Sequence, residues 1–194
     1  EIETAVREAG CAGEAYVRII VTRGVGEIDI NPKTCVRPTL VIVVKDLPTY
    51  PPELYERGIE VAIVSTVRNA ACTVDPSIKT GNYLNSVLAL IDAQRRGAKE
   101  AVMLNSAGKL TECTTSNIFF VKDGKVFTPS LECGILSGIT RSDVIRIARE
   151  SGVPIREGLS GADDPRGPDE SFITSTTRGI MPIATIDGKP AAKG

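Results

Sequence analysis

Four stretches of the sequence set chemistry-bearing side chains beside structural punctuation. In Asp75-Pro76-Ser77-Ile78-Lys79-Thr80-Gly81-Asn82-Tyr83, a lysine stands just before a helix start. An apolar, helix-terminal setting disfavours the ammonium form, and a lysine so depressed attacks a carbonyl to form a Schiff base. A solvated loop lysine is the other reading of the same residues. In Gly134-Ile135-Leu136-Ser137-Gly138-Ile139-Thr140-Arg141, two glycines precede a helix N-terminus. Its unpaired N–H groups and partial positive charge suit an anion such as a phosphate. The spacing is neither that of a Walker loop nor G-x-G-x-x-G, and a plain turn before a helix reads the same way. Thr174-Ser175-Thr176-Thr177-Arg178-Gly179 offers four hydroxyls and an arginine, either as an anion pocket or as a polar strand end. Leu110 to Asn117 (LTECTTSN) embeds Glu112 in a polar run that leads into an apolar strand. A carboxylate facing a pyridine nitrogen keeps that nitrogen protonated; a surface glutamate is the alternative.

Composition narrows the chemistry. The 194 residues include 23 basic and 24 acidic side chains and no histidine. Ser-His-Asp and Cys-His nucleophile systems, His-ligated zinc and imidazole bases are therefore excluded within the chain. Acid–base work falls to Lys, Tyr, Cys, Asp or Glu. A formal net charge of −1, with no basic run, argues against nucleic acid or a membrane surface as partner. No apolar stretch is long enough for a membrane span, and no leader is evident. Glu1 in place of an initiator Met reads as a trimmed or partial polypeptide. Five cysteines, at 11, 35, 72, 113 and 133, form no C-x-x-C. They read as incidental or buried thiols in a reducing cytoplasm, with no metal site.

The elements that must position these groups are short. Glu1–Glu8 reads as a helix stopped by Gly10 and Gly13. Ala15–Thr22, Thr39–Val44 and Gly58–Ser65 read as strands, and Leu47–Pro52, with three prolines in six residues, as a linker or hinge. Asn82–Arg96 is the clearest helix: Leu84, Val87, Leu88 and Ile91 repeat at helical spacing, Asn82 can cap the start and Gly97 can end it. Ala101–Leu104, Asn117–Val121 and Lys125–Thr128 follow as strands, the last two joined by Asp123-Gly124 as a hairpin turn. Arg141–Ser151 reads as a second helix, with Thr140 and Asp143 as a capping pair. Phe172–Thr174 and Ile183–Ile186 close the strand set, with Asp187-Gly188 as a further turn. Short strands mixed with helices predict an α+β or mixed α/β domain.

Together the four stretches resemble the class IV, fold-type-IV pyridoxal-phosphate aminotransferases: branched-chain and D-amino-acid aminotransferases and aminodeoxychorismate lyases. The matching segments are Ile78-Lys79-Thr80-Gly81-Asn82-Tyr83-Leu84, Glu112 with Ser116-Asn117-Ile118-Phe119, Thr128-Pro129, Gly134 to Arg141, and Phe172 through the hydroxyl run to Pro182. They stand in family order. The resemblance implies an α+β, D-amino-acid aminotransferase-like fold. It divides the chain into residues 1–46 from a small N-terminal domain, 47–56 as an interdomain linker and 57–194 as the large cofactor-binding domain, truncated at its C-terminal end. It implies pyridoxal 5′-phosphate as cofactor, held as an internal aldimine on Lys79, which also shuttles the substrate proton. Glu112 matches the acid on the pyridine nitrogen, Tyr83 the tyrosine near the phenolic oxygen, and Leu136 the residue against the ring. Ile139 and Thr140 match phosphate donors, and Thr176 and Thr177 match positions for the phosphate and the substrate carboxylate.

Tyr16-Val17-Arg18 resembles the Tyr-x-Arg strand motif that lines the substrate pocket of branched-chain enzymes. Arg23-Gly24 is followed by Val25-Gly26-Glu27, without the Arg-x-His pair of the D-specific enzymes. The implied reaction is transamination of branched-chain L-amino acids with 2-oxoglutarate, in a cytoplasmic homodimer. The alternatives are an aminodeoxychorismate lyase, a D-amino-acid aminotransferase, or a catalytically silent partial chain. Relative to the family, most of the small domain, its phosphate-clamping arginine and the C-terminal helix are expected to lie outside these residues. Cys113 replaces a usual small residue, and Asp163–Pro168 replaces a short helical approach to the next strand.

Overall fold

The computed structural model describes residues 1–158 and 167–191; of the expectation for 163–168, the first four residues lie outside that set. The chain divides into two compact units, Glu1–Thr49 and Tyr50–Gly194. In the first, helix α1 (Ile2–Ala9) precedes an antiparallel pair, β1 (Ala15–Thr22) and β2 (Thr39–Asp46). Tyr16 lies opposite Lys45 and Arg18 opposite Val43.

The second unit carries a mixed sheet. Its elements are α2 (Pro52–Arg57), β3 (Ile59–Val67), α3 (Leu84–Arg95), β4 (Glu100–Leu104), β5 (Leu110–Cys113), β6 (Asn117–Lys122) and β7 (Lys125–Thr128). They continue through α4 (Ile139–Glu150), β8 (Ile155–Glu157), β9 (Glu170–Ser175), β10 (Gly179–Ile186) and β11 (Lys189–Pro190). The strand order is β5-β4-β3-β10-β9-β6-β7-β8, with β11 added beside β10. The prolines around residue 50 start a helix as well as break the chain: Pro52 occupies the first turn of α2, where its missing N–H has no intrahelical partner to lose. Gly58 then turns into β3 at φ +81°. A Cβ there would come within 2.6 Å of Ala184 N, so both conformation and space require glycine.

The parallel pairs β3/β4 and β7/β8 are bridged by α3 and α4 respectively, as parallel neighbours require. Alternation along β3 serves both sheet faces. Ile59 and Val61 join Val102, Ile118, Ile173 and Met181 in the main core, while Ala62 and Val64 meet Ala89 and Ala93 of α3. On the far part of the sheet α4 docks Ile145 on Phe119 and Val126, and the Phe119 and Phe172 rings stack at 5.0 Å. Both Asp-Gly turns adopt positive φ at their two central residues, the geometry that tight hairpins favour.

The structure shows which face of α3 is buried and corrects the capping expected of both helices. The apolar stripe of α3 does not face the sheet: Leu84, Val87, Leu88 and Ile91 are 70, 48, 51 and 39% exposed. The buried face is Ser86, Ala89 and Ala93, small side chains that let the helix lie close to β3 and β4. Nor do Asn82, Thr140 or Asp143 cap anything. Tyr83 and Gly138 are the N-cap residues, neither with a side-chain cap bond, and Asp143 pairs with Arg146 on the surface. Among the described residues no helix is long and apolar enough to cross a membrane.

Candidate active site

One cavity of about 380 Å³ in the second unit is lined by the loop before α3, by β5 and the turn after it, by the loop entering α4, and by the end of β9. The sheet order explains the meeting. β4 and β5 carry the Glu112 segment on one side, β6 and β9 pair Asn117 with Thr174, and the chain re-enters at α4 from the end of β7. Lys79, Tyr83, Glu112, Leu136, Ile139, Thr140 and Thr176 all line it. Thr177 lies in the same turn as Thr176, half-buried and not among the lining residues. Tyr16 and Arg18 belong to the first unit; the Lys45 ammonium lies 5.3 Å over the Tyr16 ring.

Lys79 is exposed, not set among apolar side chains as its sequence context predicts, and its Nζ donates to Tyr83 Oη at 3.3 Å. Tyr83 stands four residues on, at the N-terminus of α3, so one turn of chain fixes the pair. Glu112 is buried, with its side chain 8% exposed. Both of its oxygens are occupied. Oε1 accepts from Arg68 Nε at 3.2 Å and Nη2 at 2.7 Å, and Oε2 accepts from Leu136 N at 3.0 Å and Asn117 Nδ2 at 3.3 Å. Burial pushes the Glu112 carboxyl up. The Arg68 guanidinium, the Leu136 N–H and the charge of Lys79 pull it back. Its neighbour Cys113 is fully buried, and burial with two nearby carboxylates raises the thiol far above its ordinary value. It is a packing group, not a nucleophile.

The first backbone bond of α4 runs from Ser142 N to Gly138 O at 2.9 Å. The N–H groups of Ile139, Thr140 and Arg141 therefore precede the helix ladder and are available to an anion. Asn117 ties this entry to the acid: its Nδ2 donates both to Glu112 and to Leu136 O, the latter at 3.0 Å. A Cβ at Gly138 would overlap Asn117 Oδ1, so a side chain there requires that amide to move. Gly138→Ala is expected to displace that amide and destabilise the second unit by about 1–3 kcal/mol. Thermal melting of the variant against wild type would show it as a drop of a few degrees.

The sequence alone assigns no role to Arg68, Asn117 or Glu100, which with Arg178 hold the walls. Asn117 carries a signal, as the residue opening an apolar strand directly after the polar run. Arg68 carries none, since its partner is 44 residues away and only the β3–β4–β5 pairing brings them together.

Comparisons with known proteins identify the family. The family model for class IV amino-transferases matches residues 1–186. A Methanocaldococcus jannaschii protein named as a candidate branched-chain-amino-acid aminotransferase is 42% identical over 176 residues, 91% of this chain and 60% of that protein. A D-alanine aminotransferase of Listeria monocytogenes is 35% identical over 189 residues, 94% of this chain and 61% of its own length. The T.th. branched-chain amino acid aminotransferase, solved with pyridoxamine 5′-phosphate, superposes with a TM-score of 0.92 at 30% identity, covering 99% of this chain and 63% of that one. A second structure of that enzyme holds N-(5′-phosphopyridoxyl)-L-glutamate. The chain thus spans about 60% of the length of the relatives it matches. The α+β architecture, the ordered motifs and the match over nearly all of the sequence place the chain in the class IV aminotransferase family.

Proposed function

We propose that the cavity binds pyridoxal phosphate and that the chain forms the cofactor-binding part of an enzyme moving amino groups from branched-chain L-amino acids to 2-oxoglutarate. The observation that carries this reading is the convergence of Lys79, Tyr83, Glu112 and the N-terminus of α4 on one cavity. The donor set fits the group. A buried carboxylate suits a protonated ring nitrogen, an exposed amine suits an aldehyde, and hydroxyls with leading N–H groups suit a phosphate. Two buried polar atoms, Thr174 Oγ1 and Arg141 Nε, belong to lining residues and have no partner among the described residues.

When bound, pyridoxal phosphate supplies an aldehyde that condenses with amines and a pyridinium that draws electrons from the substrate Cα–H bond. Lys79 provides the anchoring amine and moves the Cα proton, with Tyr83 Oη orienting its Nζ. Glu112 holds the proton on the ring nitrogen, and Arg68, Asn117 and Leu136 N keep its carboxylate in place. Ile139, Thr140 and Thr176 bind the phosphate, Leu136 packs on the ring, and Thr177 with Thr176 receives the substrate carboxylate. Tyr16 and Arg18 carry the branched-chain preference, on the strength of the Tyr-x-Arg resemblance. A homodimer acting in the cytoplasm completes the reading.

The D-alanine aminotransferase relative, at 35% identity, supports a D-amino-acid donor as the second reading. A donor panel with 2-oxoglutarate discriminates them. L-leucine, L-isoleucine and L-valine are expected to yield glutamate at least tenfold faster than D-alanine. The reverse order selects the second reading, and pyruvate release from aminodeoxychorismate without glutamate selects a lyase.

A further inference from the structure

The most deeply buried charge near the cavity does not line it. Glu100, at the start of β4, is 1% exposed, and its carboxylate is shared between two segments that form the cavity wall. Oε1 accepts from Thr114 N at 3.1 Å, from the Thr114 hydroxyl at short range, and from Ala101 N at 3.0 Å. Oε2 accepts from Arg178 Nη1 at 2.9 Å. That same Nη1 donates to Ser116 Oγ at 3.2 Å, the Arg178 N–H donates to Ser175 Oγ at 3.3 Å, and the guanidinium lies 5.8 Å over the Tyr50 ring. Thr114 and Ser116 belong to the turn between β5 and β6, and Ser175 to the end of β9 just before Thr176. All four residues line the cavity, while Glu100 and Arg178 stand behind it.

An arginine next to four hydroxyl residues reads in the sequence as part of an anion pocket or of a polar strand end. In the folded chain its charge is directed to Glu100 and Ser116 instead. A buried ion pair gains little stability over apolar side chains of the same size, because desolvation offsets the attraction. What this pair does supply is geometry, since it joins the 114–116 turn to the 175–178 turn through charge-assisted bonds of defined direction.

We propose that the Glu100–Arg178 pair is a positioning clasp that sets the spacing of these two hydroxyl-bearing turns for a phosphate monoester, without either side chain touching it. The proposal rests on the cofactor reading above. Pyridoxal and pyridoxal phosphate differ only in the group the clasp serves, so the ratio of their affinities reports on it, whereas general loosening would weaken both.

Equilibrium dialysis of the 194-residue chain against each compound measures that ratio. Removing one partner alone would strand the other charge in the interior, so the test variant is E100M/R178M, in which two apolar chains fill the space. It is expected to melt cooperatively and to keep its affinity for pyridoxal, while affinity for pyridoxal phosphate falls at least tenfold, about 1.4 kcal/mol. R178K, whose single ammonium lacks the guanidinium fork, is expected to fall between wild type and the double variant. A cooperatively folded double variant with the wild-type ratio overturns the clasp. If the double variant loses its transition, R178K decides: an unchanged ratio overturns the clasp and a reduced one supports it. A wild-type chain that binds both compounds equally overturns the cofactor reading, and the clasp with it.

Discussion

Replacing Lys79 with alanine is expected to remove amino-group transfer while leaving the fold intact. The side chain is exposed and, among the described residues, its hydrogen bond is to Tyr83, so its loss should change stability by no more than about 0.5 kcal/mol. A positioned proton-transfer group contributes about 10²–10⁴-fold in rate, and Lys79 would also supply the amine that anchors the cofactor. The expected loss in a single-turnover reaction with L-leucine is therefore at least about 10³-fold. Lys79→Arg makes the sharper control. It keeps the charge and the reach, yet a guanidinium stays protonated at any working pH, so it should be as inactive as alanine. Substantial turnover in the arginine variant would mean that proton transfer belongs elsewhere. Rapid-quench measurement of the keto acid, with melting curves alongside, separates lost chemistry from lost structure.

The second large effect is expected at Glu112. Glu112 and its partner Arg68 both line the cavity, and each oxygen of the carboxylate is held by two donors. Glu112→Ala removes the negative charge and leaves the Arg68 guanidinium, 13% exposed, on the cavity wall without its carboxylate partner. A positive neighbour disfavours the protonated ring, so the loss should appear in kcat, by about 10²–10³-fold. A pH signature accompanies it. Because burial raises the Glu112 carboxyl in the folded chain, the folded state holds that proton more tightly than the unfolded state does. Stability of the ligand-free chain should therefore fall as pH rises from the ordinary glutamic-acid value through the raised folded one, and this component should vanish in Glu112→Gln. Denaturant titrations across the mildly acidic range measure it. A slope shared by wild type and Glu112→Gln would assign the effect to another group.

Much of this architecture is legible in the residues, and the exceptions have physical causes. β1 and β7 follow from apolar runs with no ambiguity of bounds, and the Asp123-Gly124 and Asp187-Gly188 turns follow from side chains that tolerate positive φ. β5 escapes the apolar signal because two of its four residues are polar: Thr111 donates to Met103 O at 2.7 Å and Glu112 serves the cavity. The stripe of α3 identifies a helix but not its buried face, because close approach to a sheet selects alanine and serine over leucine. The cavity residues are recognisable as four separate motifs. Their convergence is not, because it depends on β9 pairing with β6 across half the second unit. The groups that hold the walls are the least visible: Arg68 pairs with Glu112 and Glu100 with Arg178, partners distant in sequence.

Every role proposed for the cavity depends on the bond between the chain and its cofactor. Borohydride reduction of the wild-type chain equilibrated with pyridoxal phosphate, followed by peptide mass mapping, measures where that bond forms. The expected result is one phosphopyridoxyl group per chain, on Lys79, and none on that peptide in Lys79→Ala. Label spread over surface lysines, or label that survives unchanged in Lys79→Ala, would contradict it.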